Sequence, residues 1–139
     1  VLNLPSWKEK LVDRKVEVMV LDDEPVVGER LKDYLEKKGM SVETYTESPV
    51  AIERLKEKIF DVIVTDVKMQ EATGIDVLLA AKNQPTDPSV ILITGYGSFE
   101  TLREAEAMGA FDYICKPFKV EDIYKKVIKA ANKARRHAK

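Results

Sequence analysis

Apolar and polar positions alternate along this chain in two rhythms. Short runs of strand length occur at Val16–Leu21, Ser41–Tyr45, Asp61–Thr65, Ser89–Thr94 and Phe111–Cys115. Between them the apolar residues recur at helical spacing. Pro25–Lys38 places Val27, Leu31, Tyr34 and Leu35 on one face and stops at Gly39. Ser48-Pro49 reads as a cap followed by proline at the first helical position. It opens a helix to about Lys58 that buries Ile52, Leu55 and Ile59. Gly74–Asn83 carries Val77, Leu78 and Ala81, and Phe99–Met108 forms a weaker helix closed by Gly109. Val120–Arg135 repeats apolar residues at Val120, Ile123, Tyr124, Val127, Ile128 and Ala131.

Strands alternating with helices predict an α/β domain with a parallel sheet covered on both faces. Strand texture suggests the order. The first, third and fourth runs are nearly continuous apolar stretches, as expected of central strands buried on both sides, whereas the second and fifth are mixed, as edge strands can be. The order 2-1-3-4-5 satisfies this, giving a flavodoxin-like (βα)5 doubly wound sheet. At 139 residues the chain fits one domain. It divides into an extension or linker (residues 1–14), the domain (15–135) and a basic tail (136–139). Within the extension, Ser6 and Glu9 fit a capping box, and Trp7 and Leu11 would share a face, so a linker or a short helical arm both suit it.

Charge narrows the function classes. Lys and Arg number 23 against 24 Asp and Glu, so no bulk attraction to nucleic acid follows and no direct nucleic-acid binding is expected. One cysteine, Cys115, and one histidine, His137, allow neither an internal disulfide nor a zinc spacing, which suits a cytoplasmic setting. No apolar run approaches the ~18 residues of a membrane span, and the polar start carries no signal-peptide apolar region. Val rather than Met at position 1 suggests processing or truncation there.

In open α/β sheets, ligands bind beyond the carboxyl ends of the strands. Asp22, Asp23 and Glu24 follow the first strand and Asp66 the third; Thr94 ends the fourth, and Lys116-Pro117 follows the fifth. Three aspartates at one edge repel one another, and one lysine offsets only part of that charge. A hard divalent cation would relieve the rest, and Mg2+ suits carboxylate oxygens while keeping positions for water and phosphate oxygens. A carboxylate so placed can be the nucleophile toward a phosphoryl group, with Lys116 and backbone N–H groups opposing charge on the equatorial oxygens. Plainer readings stand beside these. Asp22 and Asp23 could cap the following helix, and Asp66 a loop. Thr94 could bond its own turn, Lys116 could be solvated and Tyr113 could be core. Cys115 reads as a small buried hydrophobe and His137 as a solvated tail residue. The tail reads as a continuation of the last helix into a linker, or as a phosphate-binding patch.

Four segments together carry a resemblance: Val18-Met19-Val20-Leu21-Asp22-Asp23-Glu24, Val64-Thr65-Asp66-Val67-Lys68-Met69, Ile93-Thr94-Gly95-Tyr96-Gly97 and Tyr113-Ile114-Cys115-Lys116-Pro117-Phe118. In this order and on these elements they resemble the signature segments of response regulator receiver domains of two-component systems, over roughly Lys15 to Ala134. Gly109-Ala110-Phe111-Asp112-Tyr113 is most similar to receivers of the nitrogen-regulatory type, which often control AAA+ ATPase domains. The resemblance implies Asp66 as phosphoacceptor and Asp22 and Asp23 as the acidic pair holding Mg2+, with Asp23 the direct ligand. It also implies that Asp66 and the Lys68 backbone carbonyl join the metal site. Thr94 would be the hydroxyl that moves to the phosphoryl oxygen, Lys116 its lysine partner and Tyr113 the aromatic rotamer switch, with a cis Lys116–Pro117 bond. The output face would be the fourth helix, fifth strand and fifth helix. The implied partners are a sensor histidine kinase and an effector domain following the receiver, in transcription regulation; a homodimer through the fourth and fifth helices stays open. Gln70 stands where proline often follows the methionine, which suggests a less rigid loop. Bulky Lys68 and Tyr96 are expected to hinder the attacking water and lengthen the aspartyl-phosphate lifetime.

Rival classes differ in readable ways. A haloacid-dehalogenase-type enzyme would carry Asp-x-Asp after the first strand and a cap domain; this chain has Asp22-Asp23-Glu24. A flavin module would need a Ser/Thr/Gly-rich phosphate loop there, and absorbance would reveal it. A receiver acting without phosphorylation would not need the set Asp22, Asp23, Asp66, Thr94 and Lys116.

Overall fold

The two rhythms resolve into a five-stranded parallel sheet: β1 (Glu17–Leu21), β2 (Ser41–Tyr45), β3 (Val62–Asp66), β4 (Ser89–Thr94) and β5 (Asp112–Cys115), in the order β2-β1-β3-β4-β5. This computed structural model describes residues 14–67, 74–84, 87–95, 103, 106–107 and 109–137, with backbone alone at 74–75 and 134–137. Four helices are described: α1 (Pro25–Lys37), α2 (Ser48–Glu57), α3 (Gly74–Lys82) and α4 (Val120–His137). The capping box at Ser6–Glu9 lies outside the described residues. So does the helix expected at Phe99–Met108, except for positions 103, 106 and 107, which are helical and exposed. The last helix, expected to end at Arg135, runs to His137 and so into the basic tail.

The order follows from burial. Every residue of β3 and β4 is buried, and so are four of the five in β1, while β2 and β5 alternate as sheet edges do. Period two then sorts the core into two halves. Val18, Val20, Val62, Val64, Ile91 and Ile93 pack with Leu31 and Leu35 of α1 and Ile123 and Val127 of α4. Met19, Leu21, Ile63, Val90 and Leu92 pack with Leu55 of α2 and Val77 and Leu78 of α3. Gly39, at φ +88°, provides the left-handed stop of α1 that a side chain would strain.

Several expectations need correction. Helix α2 begins at Ser48 itself, so Ser48 is inside the helix and Glu47 takes the cap position without a side-chain hydrogen bond. It ends at Glu57, Lys58 turns extended, and Ile59 points outward at 54% exposure, while Phe60 enters the core at 1%. Ile128 is at the exposed margin of α4. Cys115 is exposed rather than buried, because the alternation of edge strand β5 puts it on the same outer side as Tyr113. Asp66 is the last residue of β3 rather than the first beyond it.

At the amino end of the sheet, buried Asp61 accepts hydrogen bonds from the Arg14 guanidinium at 2.9 Å and 2.5 Å, and from the Glu17 N–H at 2.8 Å. On edge strand β2, Glu43 accepts from Arg54 of α2, from Lys58 and from the Tyr45 hydroxyl. The Arg54 guanidinium foremost, then Lys58 and Tyr45, hold the Glu43 carboxyl down at about 2 against a partial burial that opposes this. Its stabilising contribution is therefore full above the ordinary value of 4.5 and fades as the pH falls toward about 2. Glu43→Gln is expected to cost about 1–2 kcal/mol at pH 7, solvent screening included. That difference from wild type should shrink steadily in urea melts taken from pH 5 down to pH 2.5.

Candidate functional site

The carboxyl ends of β1, β3, β4 and β5 meet at one edge. Asp22 leaves β1 fixed in place: its N–H donates to the Tyr45 carbonyl at 3.1 Å, and its Oδ1 accepts the Glu24 N–H at 2.9 Å. Glu24 occupies the cap position of α1 without a side-chain cap hydrogen bond of its own, and Asp22 Oδ1 braces the helix entrance through the Glu24 N–H. That contact uses Asp22 Oδ1 and leaves Oδ2 facing Lys116. Asp66 lies level with Ile93 of β4, which sets Thr94 one residue further along the neighbouring strand, at the same edge. The Lys116 N–H donates to the Thr94 carbonyl at 2.7 Å, and the Lys116–Pro117 bond is cis, as expected.

Lys116 draws the cluster together. Its Nζ lies 3.1 Å from Asp22 Oδ2, 3.2 Å from Glu24 Oε1 and 3.2 Å from Asp66 Oδ2. Burial works against charging this amine. Its close contacts with Asp22 and Glu24 and the charges of Asp22 and Asp66 outweigh it, and its pKa is held above the ordinary lysine range. The Asp22 carboxyl is raised above its ordinary value, foremost by burial, although the Glu24 N–H and Lys116 both pull it down. One ammonium therefore does not fully compensate this carboxylate.

Whether a cation suits the site follows from the donors. Carboxylate oxygens of Asp22, Asp23 and Asp66 lie within 4.8 Å of one another. Asp22 Oδ2 is buried and accepts no hydrogen bond of acceptable angle, even with Lys116 Nζ close by. An oxygen-only set with one under-served buried oxygen fits a hard divalent ion. A cleft of about 600 Å³, lined by residues including Glu24, Val27, Arg30, Lys116 and Phe118, opens beside the cluster.

The structure thus brings together Asp22, Asp23, Asp66 and Lys116, with Thr94 buried at the same edge. Tyr113 stands apart on the outer side of β5, 41% exposed. Lys68, Gln70 and Tyr96 lie outside the described residues, and with them the expected third metal ligand and the expected hindrance of water. Sequence reasoning named Glu24 in the acidic run but gave it no part; its reach to Lys116, 92 residues away, has no local signal.

A family model for the response regulator receiver domain matches residues 18–128. The chain belongs to the response regulator receiver family. Its relatives include the acid tolerance regulatory protein ActR of Rhizobium meliloti, 30% identical over 106 residues, 76% of this chain and 55% of that protein. Transcriptional regulatory protein ZraR of Klebsiella oxytoca is 33% identical over 103 residues, 74% of this chain and 23% of that protein. The receiver thus spans about half the length of the one and a quarter of the other. Among solved structures, the beryllofluoride-activated NtrC4 receiver domain dimer is 34% identical at a TM-score of 0.79, covering 85% of this receiver and 98% of that chain. This match accords with the nitrogen-regulatory resemblance. A receiver domain from Clostridium thermocellum is 31% identical at 0.78, covering 85% and 95%. Among the described residues of this receiver, no helix is long and apolar enough to cross a membrane.

Proposed function

We propose that this receiver takes a phosphoryl group from a sensor histidine kinase onto Asp66 and thereby switches an effector domain or partner, in the cytoplasm. The observation that carries the reading is the Asp66 carboxylate at the end of β3, gathered with Asp22 and Asp23 and 3.2 Å from Lys116 Nζ. In the transfer, an Asp66 oxygen forms a bond to phosphorus as the phosphorus–nitrogen bond of the donor phosphohistidine breaks, and the imidazole leaves with the electron pair. Lys116 balances charge on the transferred group, and the Thr94 hydroxyl turns to one of its oxygens. Asp22, Asp23, Asp66 and the Lys68 backbone carbonyl would hold Mg2+, with Asp23 the direct ligand of the acidic pair. When bound, the ion would neutralise charge on the phosphoryl oxygens.

The acyl phosphate acts as a switch by biasing two conformations rather than by turning over an external metabolite. Thr94 would report it at the site and Tyr113 on the outer side of β5. The readout surface would be the segment 99–108, β5 and α4, which could also pair two copies. Intact mass after incubation with phosphoramidate tests the reading. Wild type should gain about 80 Da, one phosphoryl group, only with Mg2+, and Asp66→Ala should gain nothing. An Mg2+-independent gain, or one surviving in Asp66→Ala, would overturn it.

A further inference from the structure

Glu24 differs from the other carboxylates around Lys116. The Asp22 side chain is fully buried and that of Asp66 is 11% exposed, whereas that of Glu24 is 62% exposed. Its backbone is held, because its N–H is committed to Asp22 Oδ1 and its carbonyl accepts the Val27 N–H at 3.1 Å. Only the side chain is free to choose between Lys116 and solvent. It lies at the wall of the cleft that Lys116 also lines.

We propose that Glu24 is a positioning residue that occupies, in the unphosphorylated receiver, the Lys116 contact that an oxygen of the phosphoryl group takes over. This inference rests on the reading of Asp66 as phosphoacceptor. An ammonium has three donors, and in this structure three carboxylates stand around it. Asp22 and Asp66 belong to the site itself and stay. A phosphoryl oxygen can reach Lys116 most cheaply by displacing the exposed partner, whose carboxylate is well solvated once released. Glu24 thereby holds Lys116 extended toward Asp66 before the phosphoryl group arrives, and opposes its capture by the strength of one partly exposed ion pair. The same exchange runs backward on dephosphorylation, when Glu24 regains the ammonium.

Beryllofluoride, which mimics the phosphoryl group without being consumed, tests this by titration at saturating Mg2+ with fluorescence or NMR detection. Glu24→Gln should tighten beryllofluoride binding by about two- to fivefold, the worth of a partly exposed pair. Glu24→Asp separates pairing from charge: it keeps the negative charge but is one methylene short of Lys116. If the contact matters, Glu24→Asp follows Glu24→Gln. If Glu24→Asp stays at the wild-type affinity, or neither variant shifts it, Glu24 does not compete for Lys116 and the proposal fails. If wild type and both variants all fail to bind beryllofluoride, the fault lies with the reading of Asp66, and the Glu24 proposal falls with it.

Discussion

Asp22→Asn will give a protein that is more stable without metal and a poorer binder of Mg2+. Asp22 is 1% exposed, and burial, the largest influence on it, raises its carboxyl above the ordinary 3.8 despite the Glu24 N–H and Lys116. A carboxyl raised in the folded state favours folding when protonated. That advantage is complete below the unfolded value and is lost as the pH rises through the folded one. At pH 7 the charge is therefore a net cost. The neutral amide keeps an oxygen for the Glu24 N–H and removes the charge, so urea melts in EDTA should show a gain of about 1–2 kcal/mol. The gain should narrow as the pH falls through the raised Asp22 value, where the wild-type carboxyl takes up its own proton. Mg2+ affinity should fall by about 10- to 100-fold, the scale for removing a group that supports a metal site without dominating it. Wild type, but not D22N, should then gain stability when millimolar Mg2+ is added. A D22N protein less stable in EDTA would mean that Lys116 compensates Asp22 fully, and the case for a cation at that oxygen would weaken.

The stability lost at Asp22 and the site at Asp66 come from one arrangement, and most of that arrangement was legible in the sequence. Val62-Ile63-Val64 and the apolar run at Ser89–Thr94 read most simply as central strands. Once β3 and β4 are central, Asp66 and Thr94 fall at the same edge of the sheet. Lys116 follows because the last strand must join beside β4. What sequence pattern could not supply were contacts set by tertiary approach. The bidentate Arg14–Asp61 pair spans 47 residues, and Glu24–Lys116 spans 92. A lone small apolar residue such as Cys115 suits a core by composition, whereas the period of edge strand β5 turns it outward. Tyr113, on the same outer side, is placed where a partner could touch it, which periodicity alone would equally have allowed.

The exit from α2 shows the remaining kind of error, and a pair of substitutions measures it. Helical spacing continues Ile52 and Leu55 to Ile59, yet the chain leaves the helix at Glu57 and puts Phe60 inside. A ring filling the space ahead of β3 buries more apolar surface than one further helical step would. Phe60 belongs to the cluster of Leu55, Ala51 and Ile63, with the Lys58 ammonium 5.2 Å from its ring centre. Phe60→Ala is expected to cost about 3–5 kcal/mol, a large share of the roughly 5–15 kcal/mol that holds a domain folded. The melting temperature should drop by roughly 10 °C or more. Ile59→Ala, at a 54% exposed position, should cost less than about 0.5 kcal/mol. Both variants, kept cold enough to stay folded, should bind Mg2+ as wild type does, because Phe60 supports β3 from the end opposite Asp66. Equal costs at 59 and 60 would mean that the helix continues through Ile59. The start of β3, and with it the register that brings Asp66 level with Ile93, would then have to be redrawn.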